Sequence, residues 1–281
     1  MALAITELRK RKGSALESGL DGDPFAPAEK DVEDERKAKL SHIIRPGVRC
    51  ATEQIGQIKA RGRSPLEIVL DASEGFVPLW EKNCTLRWRF KDRTLQQFKD
   101  PLVAKATIEQ LLAAAILKWQ SAAPIKFSQS DTAWDFEIAV EEQDDCDPSG
   151  CVLASAFFPD AGRHTLKIFP KMLNQDKTEQ VETLVHEIGH IFGLRHFFAL
   201  ELETPWPAEV FGEHEPFSIM NYGDASKLTD ADRNDLRRVY QLAWSGELTN
   251  INGTPIRFVR PFHMSGVMAE ANVAVGLAAH A

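Results

Sequence analysis

The chain lacks any apolar run long enough to cross a bilayer. Its longest such stretch, around Leu111–Leu117, is far short of the ~20 residues a membrane helix requires. No apolar run of ~7–15 residues follows the basic cluster Arg9, Lys10, Arg11 and Lys12, so no secretory leader is expected. Location is left open between a cytoplasmic or unconventionally exported protein and, if a leader was trimmed, a secreted one. Cysteine is scarce: four residues in 281 cannot staple a disulfide-dense scaffold. Cys146 and Cys151 are near enough in sequence to pair across a tight loop, whereas Cys50 and Cys84 stand alone. Basic charge is also in short supply. With 33 Lys+Arg against 41 Asp+Glu the net charge is −8, which argues against a nucleic-acid-binding surface. No internal repeat is present.

What the chain does have is the composition of a folded globular protein, 43% hydrophobic and 26% charged, with length for one large domain or two. The charge is uneven: residues 1–65 carry 13 Lys+Arg and 10 Asp+Glu, a net of +3, leaving −11 for the rest. Two readings stand, a basic arm lying on an acidic body or mere unevenness of composition.

Residues 1–30 read as a weakly ordered lead, 29–40 as a solvated helix, and 41–65 show no sustained periodicity. Residues 1–75 together read as an appendage without its own core. Beyond them, Thr85–Phe90 alternates apolar and polar residues as a half-buried strand does. Asp100 and Pro101 open a helix running to Gln120. Strands are expected at Ile125–Ser128, Phe136–Val140, Val152–Phe158 and Thr165–Phe169. Asp176 and Glu179, at capping-box spacing, open a second helix, and Thr229 or Asp230 caps a last one.

The second helix carries His186-Glu187-Ile188-Gly189-His190. Imidazoles at i and i+4 lie on one helix face, one turn apart, so both reach a single ion. Glu187 projects beside the same place, positioned to act as a general base. Gly193 tolerates the left-handed backbone that ends a helix, and a turn there returns His196 as a third ligand. Three neutral imidazoles leave a tetrahedral zinc one open position, where the pKa of a water falls toward about 7. The bland alternative is a helix with solvent-facing histidines and a terminal glycine. The apolar neighbours Val181, Leu184, Val185, Ile188 and Phe192 suit a buried helix better.

The run His186 to His196 resembles the long zinc motif of the metzincin metallopeptidases, and Ser218-Ile-Met-Asn-Tyr-Gly223 resembles their Met-turn. Val152-Leu-Ala-Ser-Ala-Phe-Phe-Pro159, Leu86–Phe90 and the stretch Leu228–Tyr240 are similar to the edge strand, first strand and last helix of the matrixins. The resemblance extends from Trp80 to Tyr240. It implies an α+β fold with a twisted, mostly parallel sheet, an active-site helix, a Met-turn and a C-terminal helix. It implies that His186, His190 and His196 bind one catalytic zinc, that Glu187 is the general base, and that Met220 forms an apolar floor. It also implies a protein or peptide substrate lying along Val152, Leu153, Ala154, Ser155 and Ala156. Tyr222 resembles the astacin and serralysin branches, where the phenol supports the tetrahedral intermediate, while matrixins place proline there.

The sequence departs from the matrixins in places. Ser155 stands where they carry a histidine of a second, structural zinc site, so that site is not expected, although His164 is nearby. Glu141, Glu142, Asp144, Asp145 and Asp147 offer oxygens to calcium, or form a solvated acidic loop. Phe197 follows the third histidine, and the loop to Met220, with Glu213, His214 and Glu215, is longer than in matrixins. Val48-Arg49-Cys50-Ala51 has the Arg-Cys pair of the matrixin latency segment without its flanking proline and glycine. Cys50 is therefore a candidate latency ligand, and the front segment a candidate inhibitor. The expected organisation is an N-terminal segment 1–75, a catalytic domain 76–245 and a C-terminal extension 246–281. The expected activity is that of a zinc metalloendopeptidase, possessing a latent form. The competing reading is a zinc-bearing protein-binding module without activity.

Overall fold

A computed structural model describes residues 23–26, 28, 48–49, 68–72, 75–147, 150–196, 208–211, 218–220 and 227–265. The short N-terminal strands are β1 (Val48–Arg49), β2 (Ile68–Asp71) and β3 (Val77–Trp80). Then follow β4 (Thr85–Phe90), helix α1 (Pro101–Trp119), β5 (Lys126–Gln129) and β6 (Phe136–Val140). A hairpin of β7 (Asp145–Asp147) and β8 (Gly150–Val152) precedes β9 (Ala154–Ser155) and β10 (His164–Ile168). Helices α2 (Pro170–Leu173) and α3 (Lys177–Ile191) come next, then β11 (Ala208–Phe211) and helix α4 (Asp230–Ser245). Strands β12 (Asn250–Ile251) and β13 (Thr254–Val259) end the described strands.

The fold is α+β, and its central sheet has the order β5-β4-β6-β10-β9. The first three pairings are parallel, and only β9 runs antiparallel, against β10. Parallel neighbours need crossovers, and α1 supplies the one from β4 to β5. Strand β4 shows the expected alternation, with Leu86, Trp88 and Phe90 turned inward. Helix α1 starts as its sequence dictates: the Asp100 carboxylate accepts the amide hydrogens of Leu102 and Val103, and Pro101 needs no donor there. Its buried residues Ala104, Ile108, Leu111, Leu112, Ala115 and Trp119 face the core. Trp119 also donates its indole N–H to Val185 O in α3 (3.1 Å), tying the two helices together.

The expected single strand Val152–Phe158 is divided. Val152 lies in a second sheet of order β1-β8-β7, while Ala154 and Ser155 form the edge of the central sheet. An apolar run without alternation carries no signal for such a break. Cys146 and Cys151 are disulfide-bonded across the β7–β8 hairpin. Strand β1 runs parallel to β8, pairing Val48 with Cys151 and Arg49 with Val152.

Segments outside 76–245 also belong to the body. Leu70 in β2 is fully buried, and β2 pairs with β11. At the other end β13 lies parallel to β3, and Arg260 forms a two-contact ion pair with Glu81. His263 closes on the buried carboxylate of Asp135 (Nδ1 to Oδ2, 2.8 Å). Among the described residues no helix is long and apolar enough to cross a membrane.

Candidate metal centre

Helix α3 has a clear beginning and a clear face. The Asp176 carboxylate accepts the amide hydrogens of Thr178 and Glu179, satisfying two of the helix's orphan donors. The reciprocal capping box forms at α4 instead, between Thr229 and Asp232. Val181, Leu184, Val185, Ile188 and Ile191 recur at helical spacing and are buried. Fully burying each such side chain is worth roughly 1.5–3 kcal/mol, which holds the helix down and so aims its other residues.

The three histidines converge. One ring nitrogen from each of His186, His190 and His196 lies within 4.8 Å of the others, the one such cluster of at least three potential metal ligands among the described residues. His186 Nε2 is 3.1 Å from both His190 Nε2 and His196 Nε2. His186 donates Nδ1–H to Ile219 O (2.8 Å), and His190 donates Nδ1–H to Leu194 O (2.7 Å). A neutral imidazole has one N–H, so with Nδ1 protonated each of these rings presents an Nε2 lone pair. Lone pairs facing at this distance repel unless a cation lies between them. The spacing is close to the ~3.3 Å expected between ligands of a tetrahedral ion with bonds of about 2.05 Å. The donor set therefore fits zinc.

Burial keeps the rings in the ligating form. Desolvation, and then the neighbouring His196, push His186 down to about 3. Desolvation, followed by His186 and His196, holds His190 well below its ordinary value. His196 is fully buried, as is Glu187 apart from 2% of its surface.

The turn that brings His196 back is made as the glycine at 193 foretold, with φ +95°. Gly193 N–H donates to His190 O and Leu194 N–H to Gly189 O, closing the helix end. Gly189 answers a different need. A β-carbon there would lie 2.6 Å from Met220 Sδ, so any larger residue would force the methionine to shift. Met220 is buried at 3% exposure beneath the histidine helix. Its turn is held from α4: Asp232 accepts Ser218 Oγ–H (2.7 Å), and Ser218 Oγ accepts Met220 N–H (3.2 Å).

Two supports went unread in the sequence. Trp80 donates its indole N–H to Ile191 O (2.7 Å), and the Tyr240 phenol donates to Phe192 O (3.0 Å). Burial raises the Tyr240 phenol far above its ordinary value, which keeps it a donor. Sequence separations of 111 and 48 residues leave no local signal for either contact.

The other expected residues fall as follows. Val152, Leu153, Ala154, Ser155 and Ala156 are all buried, but only Ala154–Ser155 lies at the edge of the central sheet. Tyr222 and Cys50 lie outside the described residues, as do Phe197 and the loop with Glu213, His214 and Glu215. In the acidic run, Asp144 accepts the Lys171 amide hydrogen, Asp147 accepts that of Gly150, and Glu141 pairs with Lys167. His164 stacks on Phe157 at 4.3 Å and lies 3.3 Å from Asp160.

A search of the curated proteins gave no match. Two solved structures of myroilysin are similar. One is 14% identical with a TM-score of 0.39, covering 61% of this chain and 98% of that one. The other is 15% identical with a TM-score of 0.38, covering 58% and 85%. A family model described as Matrixin, Peptidase_M10, matches residues 79–201, a span that holds β4, α1, the central sheet and all three histidines. Residues 79–201 are thus similar to the matrixin metallopeptidases, and the three histidines that could hold a metal ion lie within that matched span.

Proposed function

We propose that the protein is a zinc-dependent endopeptidase. The observation that carries this reading is the convergence of three histidine donors with the buried Glu187 next to the first of them. His186, His190 and His196 would hold the ion, which when bound supplies a Lewis acid for the scissile carbonyl and for water. Glu187 takes a proton from the attacking water and returns it to the leaving amine nitrogen. Tyr222, two residues beyond Met220, donates its phenol hydrogen to the developing oxyanion.

The substrate lies extended beside Ala154–Ser155 and adds a strand by main-chain hydrogen bonds. Among the described residues β9 pairs with β10 alone and forms the sheet edge, which supports this placement. The front segment serves as the inhibitor of a latent form, with the Cys50 thiolate as a competing zinc ligand. The pairing of Val48–Arg49 along Cys151–Val152, beside the proposed substrate strand, supports this part.

Cleavage of a peptide library by wild type and by Glu187→Ala tests the activity. Wild type should cut within peptides and the variant should not; equal cutting by both would remove Glu187 from its role. For latency, a chain beginning at Pro65 keeps β2 and its buried Leu70. It and Cys50→Ser should exceed the full chain in activity, and equal rates for all three would dismiss the inhibitory segment.

A further inference from the structure

The carbonyls at the C-terminal end of α3 can be accounted for one by one, and the count points beyond the three histidines. The last turn of a helix leaves its C=O groups without intrahelical donors, and each needs a partner when buried. Here Phe192 N–H serves Ile188 O and Gly189 O, Leu194 N–H also serves Gly189 O, and Gly193 N–H serves His190 O. The next two carbonyls, of Ile191 and Phe192, are taken by side chains from distant elements: the Trp80 indole N–H at 2.7 Å and the Tyr240 phenol at 3.0 Å. Both side chains are buried, with exposures of 0% and 1%.

These two bonds lie immediately before Gly193, where φ is +95° and the chain reverses. The direction taken there decides two things. It places Leu194 O against His190 Nδ1, and it brings His196 back to 3.1 Å from His186. Trp80 and Tyr240 are also tied to each other, since Trp80 N–H donates to the Tyr240 phenol oxygen (3.3 Å). Trp80 O accepts the indole N–H of Trp244 (3.0 Å), and Trp80 pairs with Val259 of β13. The support therefore reaches from β3, at the start of the matched span, to a strand well beyond it.

Resting on the zinc reading of the three histidines, we infer that Trp80 and Tyr240 are positioning residues for the metal centre. They fix the exit of the metal helix so that His196 arrives as its third ligand. Neither touches the ion or the reacting atoms; they act through the carbonyls of Ile191 and Phe192. Loss of either donor loosens the turn and misplaces His196, while the helix that carries His186 and His190 remains.

The test compares full-length wild type, Tyr240→Phe, Trp80→Phe and Ile138→Val, the last a control for lost packing in the central sheet. The zinc dissociation constant is measured by chelator competition on metal-free protein confirmed as folded by circular dichroism. The visible d–d spectrum is recorded after loading with cobalt(II). Partners that orient ligands commonly change affinity 10–100-fold. Tyr240→Phe, which keeps the ring, is expected to weaken zinc about tenfold and to alter the cobalt spectrum, and Trp80→Phe to do the same. Ile138→Val should leave both readouts unchanged. Zinc affinity within twofold of wild type for both Tyr240→Phe and Trp80→Phe would overturn the inference and leave the three-histidine site intact. A wild type that binds no zinc would instead overturn the reading of the site itself, and this inference with it.

Discussion

Among the described residues, His263 and the histidines of helix α3 are both largely withdrawn from solvent, and their partners differ. His263, beyond the last strand, places Nδ1 2.8 Å from Asp135 Oδ2, in a carboxylate that also accepts the amide hydrogens of His263 and Arg87. At the metal centre, His186 and His190 give Nδ1–H to neutral carbonyls, and their Nε2 atoms face one another. In the first region a charged acceptor closes the pair, and the imidazole serves as a fastening. In the second the acceptor fixes the tautomer and leaves a converging lone pair, the arrangement a metal ligand needs. The partner of a buried histidine, more than its burial, separates the two uses.

The contrast is sharpened first by its largest effect. Glu187→Gln should lower kcat by roughly 10²–10⁴-fold, the usual contribution of a general base, while zinc stays bound. Retained activity at equal zinc content would break the assignment. Asp135→Ala should behave oppositely, with zinc affinity unchanged but denaturation showing a loss of about 1–3 kcal/mol, because it leaves the amide hydrogens of Arg87 and His263 without their acceptor. A change in zinc affinity at constant stability would mean that the two regions are not separate.

These expectations also show what could be read in advance. The spacing from His186 to His196, with Gly193 at the turn, announced the convergence of three imidazoles, because all three lie on one helix and its exit. Strands β4 and β6 and helices α1, α3 and α4 were legible for the same reason, through periodicity and caps. Strand β13 was not, since no residue of Thr254–Val259 is fully buried and its partner β3 lies far away in the chain. Trp80, Tyr240 and the Ile219 carbonyl were invisible as supports because their roles exist only once the sheet, α3 and α4 have packed. The small size of Gly189 had its reason in Met220, across the fold.

That last contact gives a smaller effect to measure. Gly189→Ala should cost about 1–3 kcal/mol by overpacking against Met220. In a Met220→Ala background the cost should shrink, and strict additivity would show that the two residues do not press on each other.

The pH dependence of the metal-free protein is subtler. His186 is lowered to about 3 in the fold, below the ~6.5 of an unfolded histidine. Between those values the unfolded chain binds more protons, so stability should fall as pH drops from ~6.5 toward about 3, by at most ~1.4 kcal/mol per pH unit for this group. Urea midpoints across this range should flatten in His186→Ala, and an unchanged slope would place the dependence elsewhere.

The central claim is that three imidazoles make one metal centre, and metal content tests it most directly. Protein loaded with zinc and dialysed should retain about one ion per chain. His190→Ala and His196→Ala, treated alike, should retain none. A wild type without zinc, or variants that hold it as firmly as wild type, would contradict the account.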